Sequence, residues 1–107
     1  MFVAMNRFKI HKGQETAFEK IWRERDSHLA GLPGFKAFTL LRGPEGEDHT
    51  LFASHTIWES REDFEAWTKS EAFRLAHKGA GSHRDIYIGH PEFEGFEGVE
   101  GTFETAD

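Results

Sequence analysis

Three side chains along this sequence could do chemistry beyond packing. Asn6 lies in "FVAMNRFKI", where period-two alternation puts Phe2, Ala4, Asn6, Phe8 and Ile10 on one face. A carboxamide on an otherwise apolar strand face must find partners or it costs about 1–3 kcal/mol. It either bonds to backbone at a bulge or points into a ligand pocket. Trp67 and His77 belong to "EAWTKSEAFRLAHKG", residues 65–79. Trp67 follows Phe64 at i+3, a spacing that packs two rings on one helical face. Thr68 and Ser70 come next, so the helix can loosen there and the ring can wall a cavity. His77 stands at a helix end, just before Lys78 and Gly79. A charged imidazole is favoured there by the helix dipole. A neutral one, with one nitrogen fixed by an acceptor, offers the other nitrogen to a metal such as iron. In a straight helix, positions 67 and 77 lie about 15 Å apart along the axis and about 80° apart around it. They cannot touch one atom, but they can line one large flat ligand.

Other chemistries find little support. The remaining histidines, His11, His28, His49, His55, His83 and His90, have neither the helical i, i+4 spacing nor the carboxylate cluster of a zinc site. His55 shares a strand face with Ala53 and Ile57 and reads as structural. Without cysteine there is no disulfide, thiolate metal site or thiol nucleophile, and a reducing cytoplasm is the expected location. Phosphate-loop, dinucleotide and nucleophile-elbow motifs are absent. The net charge of −6 argues against a nucleic-acid partner. No apolar run approaches the ~18 residues of a membrane span, and "MFVAMNRFKI" is too short and too alternating for a signal peptide.

The elements that must position these residues follow from periodicity. The chain has 107 residues, 37% of them hydrophobic, with eleven Phe and three Trp. That fits one globular domain with a modest core. Residues 2–10 predict a strand. "QETAFEKIWRERDSHLA" predicts a helix with Phe18, Ile21, Trp22, Arg25 and Leu29 on its inner face, ended by "GLPGF". "FKAFTLLRG" and "TLFASHTIW" predict strands joined by the turn "GPEGEDH". Ser60, three residues before Asp63, is a near capping box. It opens a helix over about 61–78, broken or bent near Thr68–Ser70, with Ser70 as a second N-cap. "DIYIGH" could be extended. "PEFEGFEGVEGTFE" can be an edge strand interrupted by glycines, running into an acidic tail that can be flexible after about residue 100. The order β-α-β-β-α-β is the ferredoxin-like α+β pattern. With helices on one face only, the apolar second face of the first strand predicts a sheet-to-sheet homodimer.

Together these residues resemble a known family: the small Isd-type haem-degrading monooxygenases of the antibiotic-biosynthesis-monooxygenase superfamily. The resemblance covers nearly the whole chain. It rests on "AMNRF", "LPGFKAFTLLR", "TIWESREDFEAW" and "AFRLAHKG". It implies a dimeric α+β barrel binding haem between helices and sheet, with His77 as the proximal iron ligand. Trp67 would press on the porphyrin and ruffle it. Asn6 would hydrogen-bond oxygen on the distal side, and Trp22 would limit pocket size. Arg25, Lys78, His83 and Arg84 are candidates for the haem propionates from charge alone. O₂ and electrons from an external reductase would then open the ring and release iron, a step in iron acquisition; no flavin motif is present.

Two other readings use the same fold. One is a cofactor-free monooxygenase acting on a quinol of polyketide type, with His77 as a base or idle. The other is a non-catalytic haem-binding protein that buffers or delivers haem.

Overall fold

A computed structural model describes residues 1–77 and 85–106. In chain order its elements are β1 (Phe2–His11), α1 (Glu15–Glu24), β2 (Phe35–Glu45), β3 (His49–Trp58), α2 (Arg61–Thr68), α3 (Glu71–Ala76) and β4 (Glu92–Glu97). The four strands form one antiparallel sheet in the order β2-β3-β1-β4. This is the ferredoxin-like α+β fold expected from the periodicities. Lys78, Gly79, His83 and Arg84 lie outside the described residues.

The alternation of β1 sorts its side chains by face. Phe2, Ala4, Phe8 and Ile10 are buried beneath the helices. On the far face Val3 lies between Ile57 and Phe96, its cross-strand partners. Phe96 is half exposed, and Leu41 on β2 is also exposed. β4 is an edge strand, as its glycines allow. Gly95 leaves room for the Phe2 ring: a Cβ there would come within 2.7 Å of Phe2 Cζ. "DIYIGH" does not form a strand; it contributes an isolated bridge between Ile10 and Tyr87.

The first helix is shorter than its pattern predicts. α1 stops at Glu24, and Arg25 is extended, with ψ 148°. The Asp26 carboxylate accepts the His28 backbone N–H at 3.0 Å, and His28 takes a φ of 55°. This local side-chain turn outcompetes the helix, as Asp commonly does. Arg25 and Leu29 are therefore loop residues, although Leu29 is still buried. The start of α1 is anchored differently: Thr50 Oγ1 donates to Glu15 Oε2 at 2.7 Å, and the Gly13 N–H donates to Oε1 at 2.8 Å. The second helical segment does break where two serine caps allow it. Ser60 Oγ accepts the Asp63 N–H and Ser70 Oγ accepts the Phe73 N–H, both at 3.1 Å. Gly34, with φ +78°, passes so close to Asp63 that a Cβ there would fall on its carboxylate.

The core is not continuous. One cluster gathers Phe8, Ile10, Phe18, Phe52 and Ile86 under α1. Another gathers Phe2, Ala4, Leu29 and Trp58 under α2. Asn6 falls on β1 between Ala4 of one cluster and Phe8 of the other.

Candidate functional site

A cavity of about 550 Å³ opens between sheet and helices, within the range of small-molecule and cofactor sites. Both half-cores wall it: Phe8, Trp22 and Tyr87 from one, Leu29, Phe38, Phe64 and Trp67 from the other. Asn6, Arg25 and His77 also line it. Five residues expected from the sequence to matter, Asn6, Trp22, Arg25, Trp67 and His77, thus surround one space. Lys78, His83 and Arg84 lie outside the described residues.

The break between α2 and α3 alters the relation of Trp67 to His77. A straight helix would hold them about 15 Å apart. In the structure the Lys69–Ser70 break turns the chain, and the two ring centroids are 6.0 Å apart. Phe73 joins them, 4.9 Å from Trp67 and 4.1 Å from His77. Trp67 also packs on Trp58 at 5.4 Å and Phe64 at 5.9 Å. It is a packed aromatic and a cavity wall together. Among the described residues its indole N–H is buried without a hydrogen-bond partner, as is that of Trp58.

His77 is the C-cap of α3, and its Nδ1 lies 2.8 Å from the Phe73 carbonyl oxygen. A carbonyl only accepts, so Nδ1 carries the proton and donates. In the neutral ring this leaves the Nε2 lone pair free. The imidazole is exposed rather than sealed in the core. An oriented tautomer beside an apolar cavity suits a metal centre in a flat ligand.

Arg25 supplies the cation. Its guanidinium stacks on Trp22 at 4.2 Å, and Trp22 in turn stacks on Phe38 at 5.6 Å with the ring planes 11° apart. No carboxylate pairs with Arg25 among the described residues. Burial lowers its pKa from the ordinary arginine value, and the facing Tyr87 acts in the opposite direction. Burial likewise raises the Tyr87 phenol, with Arg25 opposing. A half-buried cation lacking a counter-ion is a natural seat for an anionic group.

Ser54, Tyr87 and His90 also line the cavity, and the sequence did not single them out for it. Ser54 had a signal available, since it falls on the inner face of β3 with Phe52, Thr56 and Trp58. Tyr87 and His90 had none, because their approach depends on a loop.

A ferredoxin-like sheet with a ligand-sized aromatic cavity beneath its helices defines a small-molecule-binding α+β domain. The chain belongs to the antibiotic biosynthesis monooxygenase family, whose model matches residues 1–79. It is 31% identical over 90 residues to a haem-degrading monooxygenase of Shouchella clausii, covering 84% of this chain and 83% of that protein. It is 36% identical over 80 residues to a staphylobilin-producing haem oxygenase of Staphylococcus haemolyticus, covering 73% and 74%. Among solved structures, the haem degrader MhuD of Mycobacterium tuberculosis, with two haems in its active site, superimposes with a TM-score of 0.71. The identity there is 33%, with 92% of this chain and 96% of that one covered.

Proposed function

We propose that this protein binds haem in the cavity and, with O₂ and electrons from an external reductase, opens the porphyrin ring and releases iron. The observation that carries this reading is His77: an imidazole with Nδ1 committed to the Phe73 carbonyl, at the wall of an aromatic cavity. The rest of the lining fits the same ligand. Haem is flat, largely apolar, imidazole-binding and acidic at one edge, and the cavity offers aromatic walls, His77 and Arg25, which has no carboxylate partner among the described residues. The haem-degrading names of the relatives support it.

Bound haem would supply the oxygen chemistry; the chain's residues bind, orient and shield. His77 would hold the iron through Nε2. Arg25 would hold a propionate, its guanidinium kept flat by Trp22. Trp67 would press on the macrocycle, since its ring is braced from behind by Trp58 and Phe64. Asn6 would present its amide on the side opposite His77, and Trp22 would bound the cavity. Lys78, His83 and Arg84 remain candidate propionate contacts.

Assembly belongs to the same proposal. The chain is read as one domain over residues 1–107, working as a homodimer through the far sheet face of Val3, Ile57 and Phe96. A cytoplasmic role in iron acquisition is part of the same reading. Among the described residues no helix is long and apolar enough to cross a membrane.

Haem titration is the test. A Soret band that grows on addition of haem and decays with ascorbate in air is expected. A stable band would make the protein a carrier, and no band would refute the reading.

A further inference from the structure

Across the inner face of the sheet one row runs Leu40, Ser54, Asn6, Phe93, each residue paired in register with the next. Its ends are apolar and its middle pair is polar. Along β1, Asn6 is flanked by Ala4 and Phe8; along β3, Ser54 is flanked by Phe52 and Thr56. Ser54 is buried, only 8% exposed, yet its side chain lines the cavity. Thr56, the other hydroxyl on this floor, spends its proton on the Ala4 carbonyl at 3.2 Å. Among the described residues, neither Ser54 nor Asn6 has a side-chain hydrogen bond. Asn6 therefore has one polar neighbour across the strands, and it is Ser54. Opposed residues of an antiparallel pair have Cβ atoms about 4.5–5.5 Å apart, within reach of a serine hydroxyl and an asparagine carbonyl.

We infer that Ser54 is a positioning residue for Asn6, an inference that rests on the haem-degrading reading. Once a ligand closes the floor to water, the Ser54 hydroxyl needs an acceptor, and the Asn6 carboxamide, directly across the strands, can supply one through Oδ1. A carboxamide whose oxygen is held by Ser54 must turn its NH₂ toward the cavity. Ser54 thus decides which end of Asn6 the ligand meets. It makes the distal group a donor rather than an acceptor, acting through Asn6.

The experiment is infrared spectroscopy of the carbon monoxide adduct of the reduced, haem-loaded protein, in wild type, Ser54→Ala, Asn6→Ala and the double variant. The C–O stretch reads the polarity facing the probe, and haem affinity and melting temperature serve as controls. Ser54→Ala is expected to move the band in the same direction as Asn6→Ala, with haem affinity unchanged. The double variant is expected to coincide with Asn6→Ala, because Ser54 acts only through Asn6. A Ser54→Ala band superimposed on wild type overturns the inference. So does a double variant shifted by the sum of the two single shifts, which would mean direct action. A wild-type protein with no Soret band fails at the earlier step and removes the haem reading itself.

Discussion

His77 and Trp67 are asked to do different things, and substitution separates them. His77→Ala removes the nitrogen that would hold iron. The imidazole-type spectrum should vanish, and haem affinity should fall by more than the roughly 10–100-fold that loss of an outer-shell partner costs. The melting temperature should fall by no more than several degrees, since a helix-end histidine is worth about 0.3–1 kcal/mol and ~1 kcal/mol moves a small domain by roughly 4–8 °C. Asn6→Ala should bind haem as wild type does and degrade it slowly, because an interaction made only after binding lowers rate and not affinity. Trp67→Ala should also bind and fail to turn over, but with a stability cost, since its ring packs on Trp58, Phe64 and Phe73. Stopped-flow decay of the Soret band at haem saturation, with melting measured alongside, checks both variants. Wild-type decay in both would leave Trp67 a packed ring and Asn6 an idle amide. For Arg25→Gln, the comparison is haem against its dimethyl ester. Wild type should prefer the free acid and the variant should lose that preference.

At the scale of elements, the break between α2 and α3 makes the site. Ser70→Ala removes the cap of α3, at a cost of about 1 kcal/mol. Because His77 hangs from that short helix, haem affinity should fall as well, although residue 70 is not among those lining the cavity. An unchanged haem affinity would mean that α3 is held by its aromatic contacts alone. The anchor of α1 is a different device. The Thr50 hydroxyl holds the Glu15 carboxylate below its usual pKa. Its stabilising effect is present above the ordinary carboxylate pKa and is lost as pH falls through the lowered value. Thr50→Val should flatten the acid limb of a melting-temperature profile. The sequence made much of this legible and some of it not. The strands, the serine caps and the break could be read because each has a local cause: alternation, or a hydroxyl three residues before an N–H. The end of α1 is not legible, because Asp26 wins back the backbone with its own side chain, and that competition does not alter the apolar spacing. The 6.0 Å approach of Trp67 to His77 was hidden too. A pattern can locate a break but does not give its direction. Ser54 is silent in the sequence, because serine in a strand carries meaning only beside its cross-strand partner.

For the whole molecule, the uncovered sheet face is the main consequence of topology. Val3, Ile57 and Phe96 are neighbours on it, with the helices on the opposite side. A homodimer at micromolar concentration is expected, checked by sedimentation equilibrium. Replacing Val3 by Glu would bury a charge in that interface and should yield monomers; a wild-type mass near that of one chain would contradict it.

The divided core has a further consequence. With the cavity between them, the cluster under α1 and the cluster under α2 meet through the sheet and the Trp22–Phe38 stack. Their backbone amides should then trade protons with solvent as two cooperative units, each with its own opening free energy. A ligand filling the gap would rest on both, and opening either unit would expel it. In deuterium-exchange measurements the haem-free protein should show two protection levels. The loaded protein should show one, higher for both clusters, because the ligand would complete the interior as well as occupy it.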